Sequence, residues 1–125
     1  IRATRLISDG VPFIATNPDP SGPSENGLTP ACGAVAAMIE SATGFAPYFV
    51  GKPNPLIMRS ALRYLDEHSE NAVMVGDRMD TDIIAGLESE IETVLVLSGV
   101  TSRQDLERFA YRPRHILNGV GDIVP

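Results

Sequence analysis

Residues 71–82 read NAVMVGDRMDTD. The apolar run Val73–Met74–Val75, then Gly76, then the acidic Asp77, is the pattern of a buried strand that stops abruptly. DTDIIAGLES (80–89) continues as a helix. ETVLVLSG (92–99) is a second buried strand, and TSRQDLERF (101–109) is a helix opened by a Thr or Ser cap. Upstream, APYFVG (46–51) is rich in aromatic and branched residues and fits a strand. In NPLIMRSALRYLDEH (54–68), Leu56, Ile57, Ala61, Leu62 and Leu65 fall at helical spacing. HILNGVGDIVP closes the chain with a weak strand and a turn. Apolar strands separated by helices imply parallel βαβ units covered on both faces. The fold class is therefore α/β, with residues 48–125 forming half of a doubly wound, Rossmann-like parallel sheet.

Residues 1–47 precede that alternation and belong to another domain. IRATRLISDG reads as the last turns of a helix with Gly10 as its stop, so the chain looks like a piece of something longer. PFIAT (12–16) fits a short strand. NPDPSGPSENGLTP (17–30) holds four prolines and two glycines and reads as a loop. A loop of that length in a compact domain is usually functional or mobile. ACGAVAAMIESAT (31–43) is a helix of small residues that packs closely, stopped by Gly44.

In an open parallel sheet, ligands sit at the carboxyl ends of the strands. Asp77 lies at one such end, with Asp80 and Asp82 within five residues. Three carboxylates so placed repel one another unless something positive sits among them. An oxygen-rich, partly hydrated site of this kind suits Mg²⁺. Asp77 is the candidate ligand, Asp82 a supporting group that holds the loop, and Asp80 a helix cap. The second strand end is VGKPNP (50–55). Its Lys52 is the only lysine in the chain, where every other formal positive charge is an arginine. If the two strands are neighbours, Lys52 and Asp77 meet over one site, with the ammonium suited to phosphate oxygens. Arg78 is expected to face water.

Composition narrows the classes. At 43% apolar and 21% charged residues the chain is globular. A net charge of −6 argues against a nucleic-acid surface, which needs clustered Lys and Arg. No apolar stretch is long enough to span a membrane. The single cysteine, Cys32, excludes an internal disulfide and fits a reducing cytosol, hence a cytoplasmic location; it reads as a packed residue.

FIATNPD (13–19), VGKPNP (50–55), VGDRMDTDI (75–83) with Ala85–Gly86, and TVLVLSGV (93–100) together resemble the haloacid dehalogenase (HAD) superfamily of phosphohydrolases, within it the NagD-type phosphatases. Order and spacing agree over nearly the whole chain. The resemblance implies that Lys52 stabilises the transferring phosphoryl group, that Asp77 binds Mg²⁺, and that Asp82 supports that site. It implies that residues 1–47 end a cap domain, with Asn17 and Asp19 in its substrate-facing loop; a plain Asx turn accounts for those two equally well. The implied activity is Mg²⁺-dependent hydrolysis of a small phosphorylated metabolite through an aspartyl-phosphate. The nucleophilic Asp-x-Asp that the family carries is not found: the one such pair, Asp80–Thr81–Asp82, lies in the loop after Gly76. The nucleophile is thus expected from a missing N-terminal half, and the chain by itself is expected to aggregate or to associate with its own copies through exposed apolar surface. The family carries a glycine near Ser89 or Glu90, so Glu90 is expected in a left-handed conformation. A non-catalytic phosphate- or partner-binding α/β module is the alternative from another class.

Overall fold

The computed structural model describes residues 1–124. It divides into two compact units, Ile1–Gly51 and Lys52–Pro125.

The first unit opens with helix α1 (Arg2–Ser8), then strand β1 (Ile14–Ala15), strands β2 (Ser21–Ser24) and β3 (Gly27–Pro30), helix α2 (Cys32–Thr43) and strand β4 (Tyr48–Phe49). β1 pairs with β4 in parallel, Ile14 opposite Tyr48. β2 and β3 form an antiparallel hairpin in the stretch expected to be a loop. Proline and glycine mask strand propensity, but an edge hairpin of two strands tolerates both. Ile7, Ala15 and Ala36 are buried. Beside them lies an open apolar hollow of about 430 Å³, lined by Leu6, Val35 and Ile39 among others. Val35 and Met38 of α2 are exposed, so its small-residue surface is only partly covered.

The expected boundary after residue 47 shifts to Gly51. Tyr48 and Phe49 are tied to β1 rather than to the sheet that follows.

The second unit holds helix α3 (Pro55–Leu65), strand β5 (Val73–Gly76), helix α4 (Ile84–Glu88), strand β6 (Glu92–Val96) and strand β7 (His115–Leu117). α3 starts where the sequence says it should. Asn54 caps it, its Oδ1 accepting the Leu56 N–H at 2.9 Å, and Pro55 takes the first turn, where a missing N–H is harmless. The sheet is parallel in the order β5–β6–β7. β6, in the centre, buries Thr93 through Val96. β5 is an edge strand of this sheet, and Val73 and Val75, which share one face of it, are exposed at 56% and 38%, where a strand buried on both faces was expected.

Met79, Ile83, Leu95 and Leu106 form one buried cluster. Met58, Ala85 and Ile91 form another, joined by Leu62 and Met74, which anchors α3 and α4 to β5. The stretch 101–109 contains a 3₁₀ helix over Arg103–Arg108 in place of an α-helix. Ser102 is its cap: the Asp105 carboxylate accepts both the Ser102 N–H and its hydroxyl, and these bonds hold Asp105 below the ordinary carboxylate pKa. Glu90 takes φ 57°, the left-handed conformation expected of it, in a turn that a glycine would make without strain.

Leu95 is fully buried at the middle of the central strand. Leu95→Ala should remove about 2–5 kcal/mol of stability through lost burial and a cavity. Equilibrium chemical denaturation checks this; a loss below about 1 kcal/mol would show that this cluster does not hold the unit together.

Candidate active site

β5 ends at Gly76, and the chain turns through Asp77 and Arg78 into a π-helical turn over Met79–Ile83. Such turns are rare and cluster at functional positions. This one widens the helix start, so that Arg78 O accepts N–H groups from both Asp82 (3.0 Å) and Ile83 (3.1 Å). It also swings Asp82 back over the strand end. Asp82 is 4% exposed, and its Oδ2 accepts the backbone N–H groups of Asp77 and Arg78, both at 3.1 Å.

Only glycine fits beneath Asp82. A Cβ on Gly76 would stand 2.3 Å from Asp82 Cβ and 2.5 Å from its Oδ2. The glycine is there for room, since its φ lies outside the left-handed region.

Lys52 Nζ lies 2.8 Å from Asp82 Oδ1, with the lysine side chain 43% exposed and the aspartate side chain 6% exposed. The approach is an ion pair without hydrogen-bond alignment, so Oδ1 has a positive charge beside it but no donor aimed at it. Lys52 therefore joins Asp77 through Asp82. Its route to the site also differs from the expected one. β4 does not belong to the β5–β6–β7 sheet, so the two loops are not neighbouring strand ends. Lys52 instead precedes the Asn54 cap of α3, and α3 packs against α4 and Met74.

The three carboxylates do not share one cluster; each has its own partner. Asp82 takes Lys52 and two backbone N–H groups. Asp77 Oδ2 accepts the Val100 N–H at 2.8 Å. Asp80 receives Arg78 Nε and Nη2 at 3.0 and 2.8 Å, and these bonds hold its carboxyl below the usual range. Asp80 is therefore not the helix cap that the sequence suggested, and Arg78 is tied to Asp80 instead of facing water alone. The sequence offered no signal for either, because both depend on the π turn.

In the first unit, Asn17 Oδ1 accepts the Asp19 N–H at 3.2 Å, an Asx turn, and Asp19 O accepts the Gly33 N–H at 2.8 Å. The turn therefore rests on the start of α2. The Cys32 thiol is drawn below its ordinary pKa by the Asn17 N–H and by Thr16.

Among the described residues no group of three or more His, Cys, Asp or Glu is placed to hold a metal ion. The donor set fits Mg²⁺ in the way that ion prefers, with one or two protein carboxylates and retained waters. Asp77 Oδ2 is held by Val100, and Oδ1 accepts no hydrogen bond among the described residues.

The chain belongs to the HAD-hydrolase-like family, whose model matches residues 49–123. Over 122 residues the chain is 47% identical to the ribonucleotide monophosphatase NagD of Escherichia coli K12, covering 98% of this chain and 48% of that protein. It is 52% identical over 121 residues to a dihydroxyacetone phosphatase of Corynebacterium glutamicum, 97% and 44% of the two lengths. The solved structure of E. coli NagD superposes with a TM-score of 0.88 at 46% identity over 98% of this chain and 48% of that one. A glycerol phosphate phosphatase from Mycobacterium tuberculosis, solved in complex with magnesium, superposes at 0.83 with 37% identity, over 91% of this chain and 35% of that one. The chain thus spans about half the length of the curated relatives it matches. No described helix is long and apolar enough to cross a membrane.

Gly76→Ala should push Asp82 off the Asp77 and Arg78 amides. A loss of about 1–3 kcal/mol in a thermal melt is expected, as for other overpacked sites. An alanine variant as stable as the parent would mean that Asp82 does not need its close approach.

Proposed function

We propose that the complete polypeptide containing this chain is an Mg²⁺-dependent phosphohydrolase acting on small phosphate monoesters of the sugar phosphate, nucleotide, phosphoglycolate or pyridoxal phosphate type. The observation that carries this reading is the linked set Lys52–Asp82–Asp77: an ammonium and a carboxylate held by one buried side chain at a strand end. The names of relatives such as the ribonucleotide monophosphatase and the dihydroxyacetone phosphatase support the class.

In this reading Lys52 stabilises negative charge on the transferring phosphoryl group. An ammonium acts as a compact point charge on phosphate oxygens. Its ion pair with Asp82 fixes the stem and leaves the half-exposed head within reach of a ligand. Asp77 holds Mg²⁺ through the oxygen that Val100 leaves unbonded. The bound ion supplies charge neutralisation on the phosphate oxygens. Asp82 touches neither the ester nor the metal; it sets the positions of the two groups that do. The attacking carboxylate, and the aspartyl-phosphate that forms on it, belong to a preceding half, so this chain alone is expected to position phosphate without cleaving it. The first unit, Ile1–Gly51, then closes a cap domain, with Asn17 and Asp19 in its substrate-recognition turn. The absence of any possible internal disulfide agrees with a cytoplasmic enzyme. The exposed Val35 and Met38 agree with association between copies.

The test is hydrolysis of a panel of small phosphate monoesters by the complete polypeptide, with Lys52→Ala and Asp77→Ala beside it. Each variant should lower kcat/KM by about 10²-fold or more, as loss of a transition-state charge partner does, and the parent should stop working when Mg²⁺ is chelated. Turnover unchanged in both variants would reject the reading.

A further inference from the structure

We propose that Thr101 is a positioning residue for the Asp77 site, fixing the acidic turn so that its carboxylate offers one set oxygen to the cation. The proposal rests on the reading that Asp77 holds Mg²⁺.

The sequence left open whether Thr101 or Ser102 caps the helix that follows. Ser102 does so, through Asp105. Thr101 is turned the other way. It is 6% exposed, its N–H donates to Asp77 O at 3.0 Å, and its Oγ1 accepts the Met79 N–H at 3.3 Å. Beside it, the Val100 N–H donates to Asp77 Oδ2. The segment Val100–Thr101 therefore grips the acidic turn from a point about twenty residues beyond Asp82 in sequence, at the backbone carbonyl of Asp77, at its carboxylate and at the amide of Met79.

Adding these bonds to those of Asp82 accounts for every backbone polar group from Asp77 to Met79. Asp82 Oδ2 takes the Asp77 and Arg78 N–H groups. The Arg78 carbonyl takes Asp82 and Ile83 N–H groups. The Met79 carbonyl accepts the Tyr111 hydroxyl at 2.9 Å and the Ile84 N–H. A three-residue turn with no unbound backbone group has little freedom to swing its carboxylate.

Gly99 completes the arrangement. A Cβ there would stand 2.1 Å from Asp77 Oδ2 and 2.5 Å from its Cγ, so the carboxylate lies against bare backbone. The Thr101 side chain can be altered without touching Asp77 or removing an N–H that bonds it. Valine has the same shape without the acceptor oxygen, and would strand the Met79 N–H inside a fully buried residue. Serine keeps the oxygen.

The experiment uses the complete polypeptide as wild type, Thr101→Val and Thr101→Ser. Mg²⁺ binding is measured by titration calorimetry without substrate, and the Mg²⁺ requirement of phosphate ester hydrolysis is measured separately. Thr101→Val should weaken Mg²⁺ binding about tenfold or more, the effect typical of residues that orient metal ligands. It should raise the half-saturating Mg²⁺ by the same factor while changing kcat at saturating Mg²⁺ much less. Thr101→Ser should stay close to wild type. Unchanged Mg²⁺ affinity in Thr101→Val, or equal damage in the Val and Ser variants, overturns the proposal. Should the valine variant fail to fold in a thermal melt, Thr101→Ala, which also lacks the acceptor oxygen, takes its place in the same titration, and a Mg²⁺ affinity equal to wild type overturns the proposal. If the wild type binds Mg²⁺ but hydrolyses no ester, the functional reading fails while the calorimetric comparison still judges Thr101. A wild type that binds no Mg²⁺ sinks both.

Discussion

A carboxylate removed from water must be repaid in charge and hydrogen bonds, and the Asp82 carboxylate organises this chain's candidate chemistry through that requirement. Burying such an ion costs several kcal/mol unless it is paired. Asp82 meets the cost with the N–H groups of Asp77 and Arg78 on one oxygen and the ammonium of Lys52 beside the other. Charge-assisted bonds of this kind are roughly twice as strong as neutral ones. The same contacts fix three things: the exit of the chain from β5, the place of the only lysine, and the direction in which the Asp77 side chain leaves the backbone. Gly76 and the π turn exist in this account because Asp82 needs to come close to the strand.

The site is therefore not a pool of acidic residues gathered for a cation. Its three aspartates are separated by function of environment. Asp80 is neutralised by Arg78 at the surface, Asp82 is consumed in holding structure with Lys52 beside its one unbonded oxygen, and Asp77 keeps an oxygen with neither a hydrogen bond nor an ion pair among the described residues. Like charges five residues apart are thereby kept from competing for one ion.

Much of this was legible in the residues. The periodicity of 54–68 and the Asn-Pro start gave α3, and the continuous apolar run at 92–96 gave the central strand. Lys52, Asp77 and Asp82 stood out because a rare residue type and a dense acidic run fell where buried segments stop. What could not be read depended on contacts distant in sequence or on unusual backbone. The β2–β3 hairpin hid behind prolines. β5 reads as buried, yet it is an edge strand, since periodicity reports polarity and not the number of neighbours. Tyr48 and Phe49 choose β1 as a partner, which no local pattern announces. The pairing of Lys52 with Asp82 spans thirty residues and needs a π turn that ordinary helix periodicity does not encode.

The most direct check is amide hydrogen exchange in the complete polypeptide, wild type against Asp82→Ala. If the buried carboxylate holds the turn, the Asp77 and Arg78 amides exchange slowly in the wild type and lose that protection in the variant. The amides of Val94 and Leu95 in the central strand should stay protected in both. Equal protection of Asp77 and Arg78 with and without the Asp82 carboxylate, in a variant whose central strand remains protected, would contradict the account.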